Sequence, residues 1–138
     1  VVSIRAAHGE DIAGVLSLWN TATDPSTTDD AGSLARLLEF ADDALLLATD
    51  GDEIVGTVIV AWDGWRGTMY RLAVAPSRRR RGIASTLVRE GEARLRRRGA
   101  ARLHAIVESD RPAAQFFWTS VGYAPTNQAR YVKIFETT

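Results

Sequence analysis

The sequence predicts a mixed α/β domain: one sheet, partly antiparallel and partly parallel, with helices on its faces. Three observations carry this. Short β-branched runs alternate with helical apolar stripes along the chain. Two turns, Asp50-Gly51-Asp52 and Asp63-Gly64-Trp65-Arg66-Gly67, join neighbouring strands and require antiparallel hairpins. A strand–helix–strand crossover between residues 68 and 107 requires parallel neighbours and a right-handed connection.

Each element has its own signal. Val2–Ala6 alternates apolar and polar, as a strand does. Glu10–Ala22 carries Ile12, Val15, Leu16 and Trp19 at three- and four-residue steps, one helical stripe. Residues 24–30 are a polar break with a proline. Asp30–Ala41 predicts a second helix with Leu34, Leu37, Leu38 and Phe40 as its apolar set. Ala44–Thr49, Glu53–Trp62 and Thr68–Val74 predict strands, the second rich in β-branched residues. A long helix follows from Arg81 to Arg98 and ends at Gly99; Ile83, Ala84, Leu87, Val88, Gly91 and Leu95 share its inner face. Gly91 in mid-helix implies close approach of helix and sheet. Ala101–Val107 predicts a strand. Arg111–Val121 predicts a helix opened by Pro112 and closed by Gly122. Tyr123–Pro125 and Tyr131–Phe135 supply the last one or two strands. The predicted order is β-α-α-β-β-β-α-β-α-β-β.

Composition bounds the function. The chain has 138 residues, 46% hydrophobic and 25% charged, the balance of one globular domain spanning 1–138. It has no cysteine, which excludes thiol nucleophiles, disulfides and zinc-thiolate or iron–sulfur sites. With only His8 and His104, no metal site is expected. No apolar run reaches the ~18 residues of a membrane span. The opening VVSIRAAHGED lacks the apolar core of a signal peptide, so the expectation is a soluble, cytoplasmic protein. The net charge is zero but divided: residues 1–63 hold twelve Asp/Glu and two Arg, and residues 64–138 hold five Asp/Glu, fourteen Arg and one Lys. The division implies an anionic ligand on the basic half, or simply two halves that attract each other.

Residues 72–85 carry the chemistry. A strand stops, a basic turn Ser77-Arg78-Arg79-Arg80-Arg81 follows, and Gly82-Ile83-Ala84-Ser85 opens a helix. The first N–H groups of a helix lack internal partners and lie at the positive end of its dipole, an anion site that needs no side chain. Gly82 and Ala84 leave room for a phosphate to reach the backbone, and arginines add charge-assisted hydrogen bonds. Neither a Walker loop nor a G-x-G-x-x-G fingerprint is present.

Arg79-x-x-Gly82-x-Ala84 after Leu72-Ala73-Val74-x-Pro76 resembles motif A of the GNAT family of acyl-CoA-dependent N-acetyltransferases, [Q/R]-x-x-G-x-[G/A] after L-x-V-x-P. Residues 113–123, AAQFFWTSVGY, resemble its motif B, N-x-x-A-x-x-F-Y-x-x-x-G-F/Y. The spacing and the whole element order agree with the family. The resemblance implies an acetyltransferase fold with acetyl-CoA as acyl donor and no metal. It implies that backbone amides of Arg79, Arg80, Arg81, Gly82, Ile83 and Ala84 hold the pyrophosphate. Leu72, Ala73 and Val74 would then pair with the pantetheine arm where the two central strands splay, with Arg111 and Phe117 also on the coenzyme. It allows a monomer or a homodimer.

Three positions depart from the pattern. The motif B asparagine is Arg111. The tyrosine that often protonates the leaving thiolate is Trp118, whose indole N–H donates but is no acid near neutral pH. Arg80 stands where glycine is frequent. The general acid and base must lie elsewhere, and Glu108, as base, and Tyr131, as acid, are the candidates. An N–H of Val74 is the family-like donor to the developing oxyanion. The acids Asp24, Asp29, Asp30, Glu39, Asp42 and Asp43, with Trp19, Trp62 and Trp65, point to a cationic small-molecule amine as acceptor. A non-catalytic coenzyme-binding or regulatory protein is the alternative, motivated by Trp118. A nucleic-acid module is disfavoured, because no aromatic residue interleaves the arginines from 78 to 81.

Overall fold

The computed structural model describes residues 1–23 and 29–135. The break expected at 24–30 falls largely outside them. Two compact units are present, 1–106 and 107–138.

In the first unit the strands are β1 (Val2–Ala6), β2 (Leu45–Asp50), β3 (Glu53–Trp62), β4 (Gly67–Val74) and β5 (Leu103–Ala105). They form one sheet in the order β1-β2-β3-β4-β5. The first three pairings are antiparallel and β4–β5 is parallel, as the turns and the crossover require. The helices are α1 (Ile12–Ala22), α2 (Ala31–Phe40) and α3 (Ile83–Arg97). Short 3-10 turns at Gly9–Asp11 and Pro76–Arg78 lead into α1 and out of β4. The second unit holds α4 (Pro112–Ser120), with Arg111 as its N-cap.

The amphipathic stripes decide which face each helix covers. Val15 and Trp19 of α1 and Leu34 of α2 pack with Leu45, Leu47 and Ala73 on one face of the sheet. On the other, α3 buries Ile83, Leu87, Val88 and Leu95. Gly91 has the role its position implied: a Cβ there would lie 3.0 Å from both Met69 Cε and Val60 Cγ2. Asp30 caps α2, its Oδ1 accepting from the Ser33 N–H at 2.7 Å.

Several boundaries differ from expectation. Phe40 is exposed at 85% because it falls outside the Leu34–Leu37–Leu38 stripe. The strand expected at 101–107 shrinks to Leu103–Ala105, since β4 offers a ladder only from Gly67 to Met69. The expected strands at Tyr123–Pro125 and Tyr131–Phe135 are not formed. Pro125 has no N–H for a ladder. The second stretch has strand propensity but pairs with no strand among the described residues, and Tyr131, Val132, Ile134 and Phe135 are all exposed. Propensity prepares a strand, but a hydrogen-bonded neighbour makes one.

The start of α1 is fixed by Asp11. Its carboxylate accepts two bonds from the Arg5 guanidinium, at 2.8 and 2.9 Å, and one from the His8 N–H at 2.7 Å. The Arg5 hydrogen bonds, opposed by burial and aided by the His8 amide, hold the Asp11 carboxyl at about 2. A depressed carboxyl pKa stabilises the fold above the ordinary Asp value, and that stability is lost as pH falls through the folded value. We therefore expect a contribution on the order of 1–2 kcal/mol to vanish between about pH 4 and pH 2. Urea midpoints should show that drop in the wild type and a much flatter profile in Asp11→Asn; identical profiles would contradict the assignment.

Candidate functional site

β4 is a paired strand at its start and a half-open one at its end. Its parallel ladder with β5 runs over Gly67↔Leu103, Thr68↔His104 and Met69↔Ala105, and a last bond joins the Ile106 N–H to the Met69 carbonyl at 3.1 Å. From Tyr70 to Val74 the β5 side of β4 has no ladder partner among the described residues. The β3 side stays paired, with a register shift between Thr57 and Ile59 that sets Arg71 and Leu72 opposite one residue, Val58. That is a β-bulge. Arg71 sits in it at φ +53°, in the left-handed region that costs a non-glycine residue about 1–2 kcal/mol.

The direction of the Val74 peptide follows from its neighbours. The Ala75 N–H donates to the Val55 carbonyl at 2.9 Å, so the opposed pair Gly56–Val74 is a non-hydrogen-bonded pair. The N–H and C=O of Val74 itself therefore point away from β3, to the open edge. Consistent with this, the Val74 carbonyl accepts from Arg79 Nε at 3.3 Å.

This edge leads into the basic turn, whose four arginines do different things. Arg78 is structural: it bonds Asp50 at 2.5 Å and Glu53 at 2.7 Å, pinning the turn to the β2–β3 hairpin. Arg79 folds back over Val74 and reaches the Ala22 carbonyl at 3.4 Å. Arg80 and Arg81 are exposed and make no ion pair among the described residues. Gly82 is the N-cap of α3 at φ +77°, with no side-chain cap and nothing within 4 Å of a notional Cβ. Ile83 is buried and anchors the helix start, while Ala84 is half-buried. Leu72 is half-buried, and Ala73 and Val74 are buried. The Val74 peptide thus faces outward, and beyond the 3-10 turn at Pro76–Arg78 so do the uncapped N–H groups at the start of α3, two backbone features suited to an extended anionic ligand.

The second unit holds the other expected residues. Glu108 accepts from Arg111 Nε at 3.0 Å. Phe117 is half-buried and meets Trp118 edge-to-face at 5.4 Å; Trp118 is buried and meets Tyr123 in the same way at 4.9 Å. Trp118 is therefore a packing residue. Tyr131 is 97% exposed and bonds neither Glu108 nor any other group among the described residues.

Two features were missed from the sequence. Thr57 is fully buried, and it links Trp19 to the bulge: Trp19 Nε1 donates to Thr57 Oγ1 at 2.8 Å, which donates to the Arg71 carbonyl at 3.0 Å. The Arg71 guanidinium pairs with Asp29 and lies 5.5 Å from the Trp19 ring centre. The signal was a broken parity. Met69 packs under Gly91 of α3 and Ala73 packs in the α1 core. Four residues apart, they would share a face in a regular strand.

Comparison with known proteins identifies the class. The acetyltransferase (GNAT) family profile matches residues 6–123. The chain is 32% identical over 128 residues to an acetyltransferase of Pectobacterium atrosepticum, covering 88% of this chain and 87% of that one. It is also 32% identical over 133 residues to an acetyltransferase of Photorhabdus laumondii, covering 92% and 90%. Among solved structures, Ard1 from Thermoplasma volcanium superposes with a TM-score of 0.81 at 20% identity, over 91% of this chain and 84% of that one. A transcriptional regulator from Bacillus halodurans gives 0.78 at 22% identity, over 97% and 100%. The fold is that of the acetyltransferases. The chain belongs to the GNAT family.

Arg80 gives a test of the local geometry. It holds φ +65° at a position where the family often has glycine. Arg80→Gly should remove the strain and raise stability by up to ~1 kcal/mol in chemical denaturation. A loss of stability would mean that the side chain contributes a contact outweighing the strain.

Proposed function

We propose that the protein is an N-acetyltransferase that moves the acetyl group of acetyl-CoA directly to a primary amine, in a ternary complex. One observation carries the reading: the outward Val74 peptide of β4 is followed, one 3-10 turn later, by the uncapped, glycine-opened start of α3. Leu72, Ala73 and Val74 would pair with the pantetheine arm. The backbone from Arg79 to Ala84 would bind the pyrophosphate, and Arg111 and Phe117 are the further coenzyme residues that the family resemblance implies. The family match runs through both units, which supports reading 1–138 as one acetyltransferase domain.

The amine nitrogen forms a bond to the thioester carbon as the carbonyl becomes an oxyanion. Collapse breaks the C–S bond, and one proton leaves the nitrogen as another reaches the thiolate. The outward Val74 N–H is suited to the oxyanion. We propose Glu108 as the base and Tyr131 as the acid of this reading. The acceptor is a cationic small molecule. Asp29 and Asp43 are already offset by Arg71 and Arg98, so among the described residues the attraction falls to Asp30, Glu39 and Asp42, for which no ion pair is found. Trp19 is buried in the core and lines no acceptor wall. The second reading, a coenzyme-binding regulator, draws on Trp118 in place of the tyrosine.

Acetyl-CoA at about 100 times its Kd should add ~2.7 kcal/mol, a rise in Tm of roughly 8–12 °C for a domain of this size. The rise should vanish in a folded Arg79→Ala, Gly82→Trp variant; its persistence there would move the coenzyme off the turn. Free CoA should accumulate only when an amine is present, which separates the enzyme from the regulator. With a cationic acceptor, kcat/KM should fall steeply with added salt, and a flat profile would contradict the charge assignment.

A further inference from the structure

We infer that Thr57 and Trp19 are positioning residues for acetyl transfer, holding through the Arg71 carbonyl the bulge that turns the edge of β4 outward. The inference rests on the coenzyme reading above. The hydrogen-bond chain is continuous and buried: Trp19 Nε1 to Thr57 Oγ1 at 2.8 Å, then Thr57 Oγ1 to the Arg71 carbonyl at 3.0 Å. Thr57 is completely buried and Trp19 nearly so. A threonine hydroxyl has one proton to give and lone pairs to receive, so it can accept from the indole and donate to the carbonyl at once. The Trp19 indole N–H and the Arg71 carbonyl are thereby both satisfied by one side chain.

The site served by this chain is the strained residue. Arg71 at φ +53° would relax toward an ordinary strand conformation if nothing held its carbonyl. Relaxation would restore strict alternation from Met69 onward. Ala73 would leave the α1 core, and Val74 would change from an outward-facing to a β3-facing peptide. The bulge lies at the point where the β4–β5 ladder ends, two residues beyond Met69. Bulges bend a strand and increase its local twist, which is what separation from β5 requires. The Thr57 hydroxyl therefore acts at a distance on the direction of the Val74 N–H, with no contact to either substrate.

The test uses the full chain and two readouts: acetyl-CoA affinity by calorimetry, and the strong intraresidue HN–Hα cross-peak that a positive φ gives Arg71 in NMR spectra. Thr57→Val keeps the shape and removes the hydroxyl. It should weaken acetyl-CoA at least tenfold and abolish the Arg71 cross-peak. Thr57→Ser should retain both. Thr57→Val combined with Arg71→Gly should recover affinity to within about threefold of wild type, since glycine holds the left-handed conformation unaided; a packing defect at 57 would not be repaired from position 71. Trp19→Phe, which leaves the Thr57–Arg71 bond in place, serves if Thr57→Val does not fold, and should give an intermediate loss. Wild-type affinity in Thr57→Val or Trp19→Phe would overturn the role, as would a double variant no better than the single one. A wild type that does not bind acetyl-CoA would instead overturn the functional reading, and this role with it.

Discussion

The structure depends on a strand that stops pairing in the middle of a sheet. Backbone N–H and C=O groups are strong hydrogen-bonding groups, and a half-open interior strand is costly unless something satisfies it. Here β4 keeps β3 along its whole length and gives up β5 after Met69. What remains outward is the Val74 peptide, whose carbonyl already holds the Arg79 side chain. A free edge of this kind invites an extended partner. On the proposed reading that partner is the amide-bearing arm of the coenzyme, and the helix start beyond Gly82 takes its phosphates. The fold around the edge is otherwise dense: at Gly56 and Gly67 a side chain would crowd residues of α3, and at Gly91 of α3 one would crowd Met69 and Val60. Rigidity on the α3 side leaves β4 few ways to close the gap by shifting.

The division of charge along the chain resolves in part into internal pairing. Arg71 meets Asp29, Arg78 meets Asp50 and Glu53, and Arg98 meets Asp43; each joins the basic half to the acidic half. Exposed pairs such as Arg98–Asp43 contribute little to stability individually, but they decide which charges are left for a ligand. Arg80 and Arg81 remain at the turn, beside the uncapped start of α3. The basic character of the second half is thus narrower as a binding feature than its fourteen arginines imply.

Much of this was legible in the sequence, and the reasons are local. The stripe from Ile83 to Leu95 fixed the buried face of α3, and Gly91 within it announced a close approach that Met69 and Val60 make. The turn at 79–84 was readable because a glycine before a helix has few purposes. The late strands were not, because YVKIF has strand propensity whether or not a neighbour is there to pair with it. The bulge was hidden for a different reason: Arg71 in an apolar run is ambiguous until Met69 and Ala73 are known to face opposite helices. Thr57 looked like any β-branched strand residue, and its partners at positions 19 and 71 are neighbours only in the folded chain.

The central claim, that the coenzyme lies along the β4 edge and over the start of α3, is tested most directly by titrating acetyl-CoA into the ¹⁵N-labelled protein and following each backbone amide. The account predicts that the largest shifts fall on Val74 and on residues 79–84, while Ala7 and the β1–β2 ladder stay nearly still. Shifts concentrated elsewhere, for example on Arg94, Arg97 and Arg98 at the far end of α3, or no shifts at millimolar coenzyme, would contradict it.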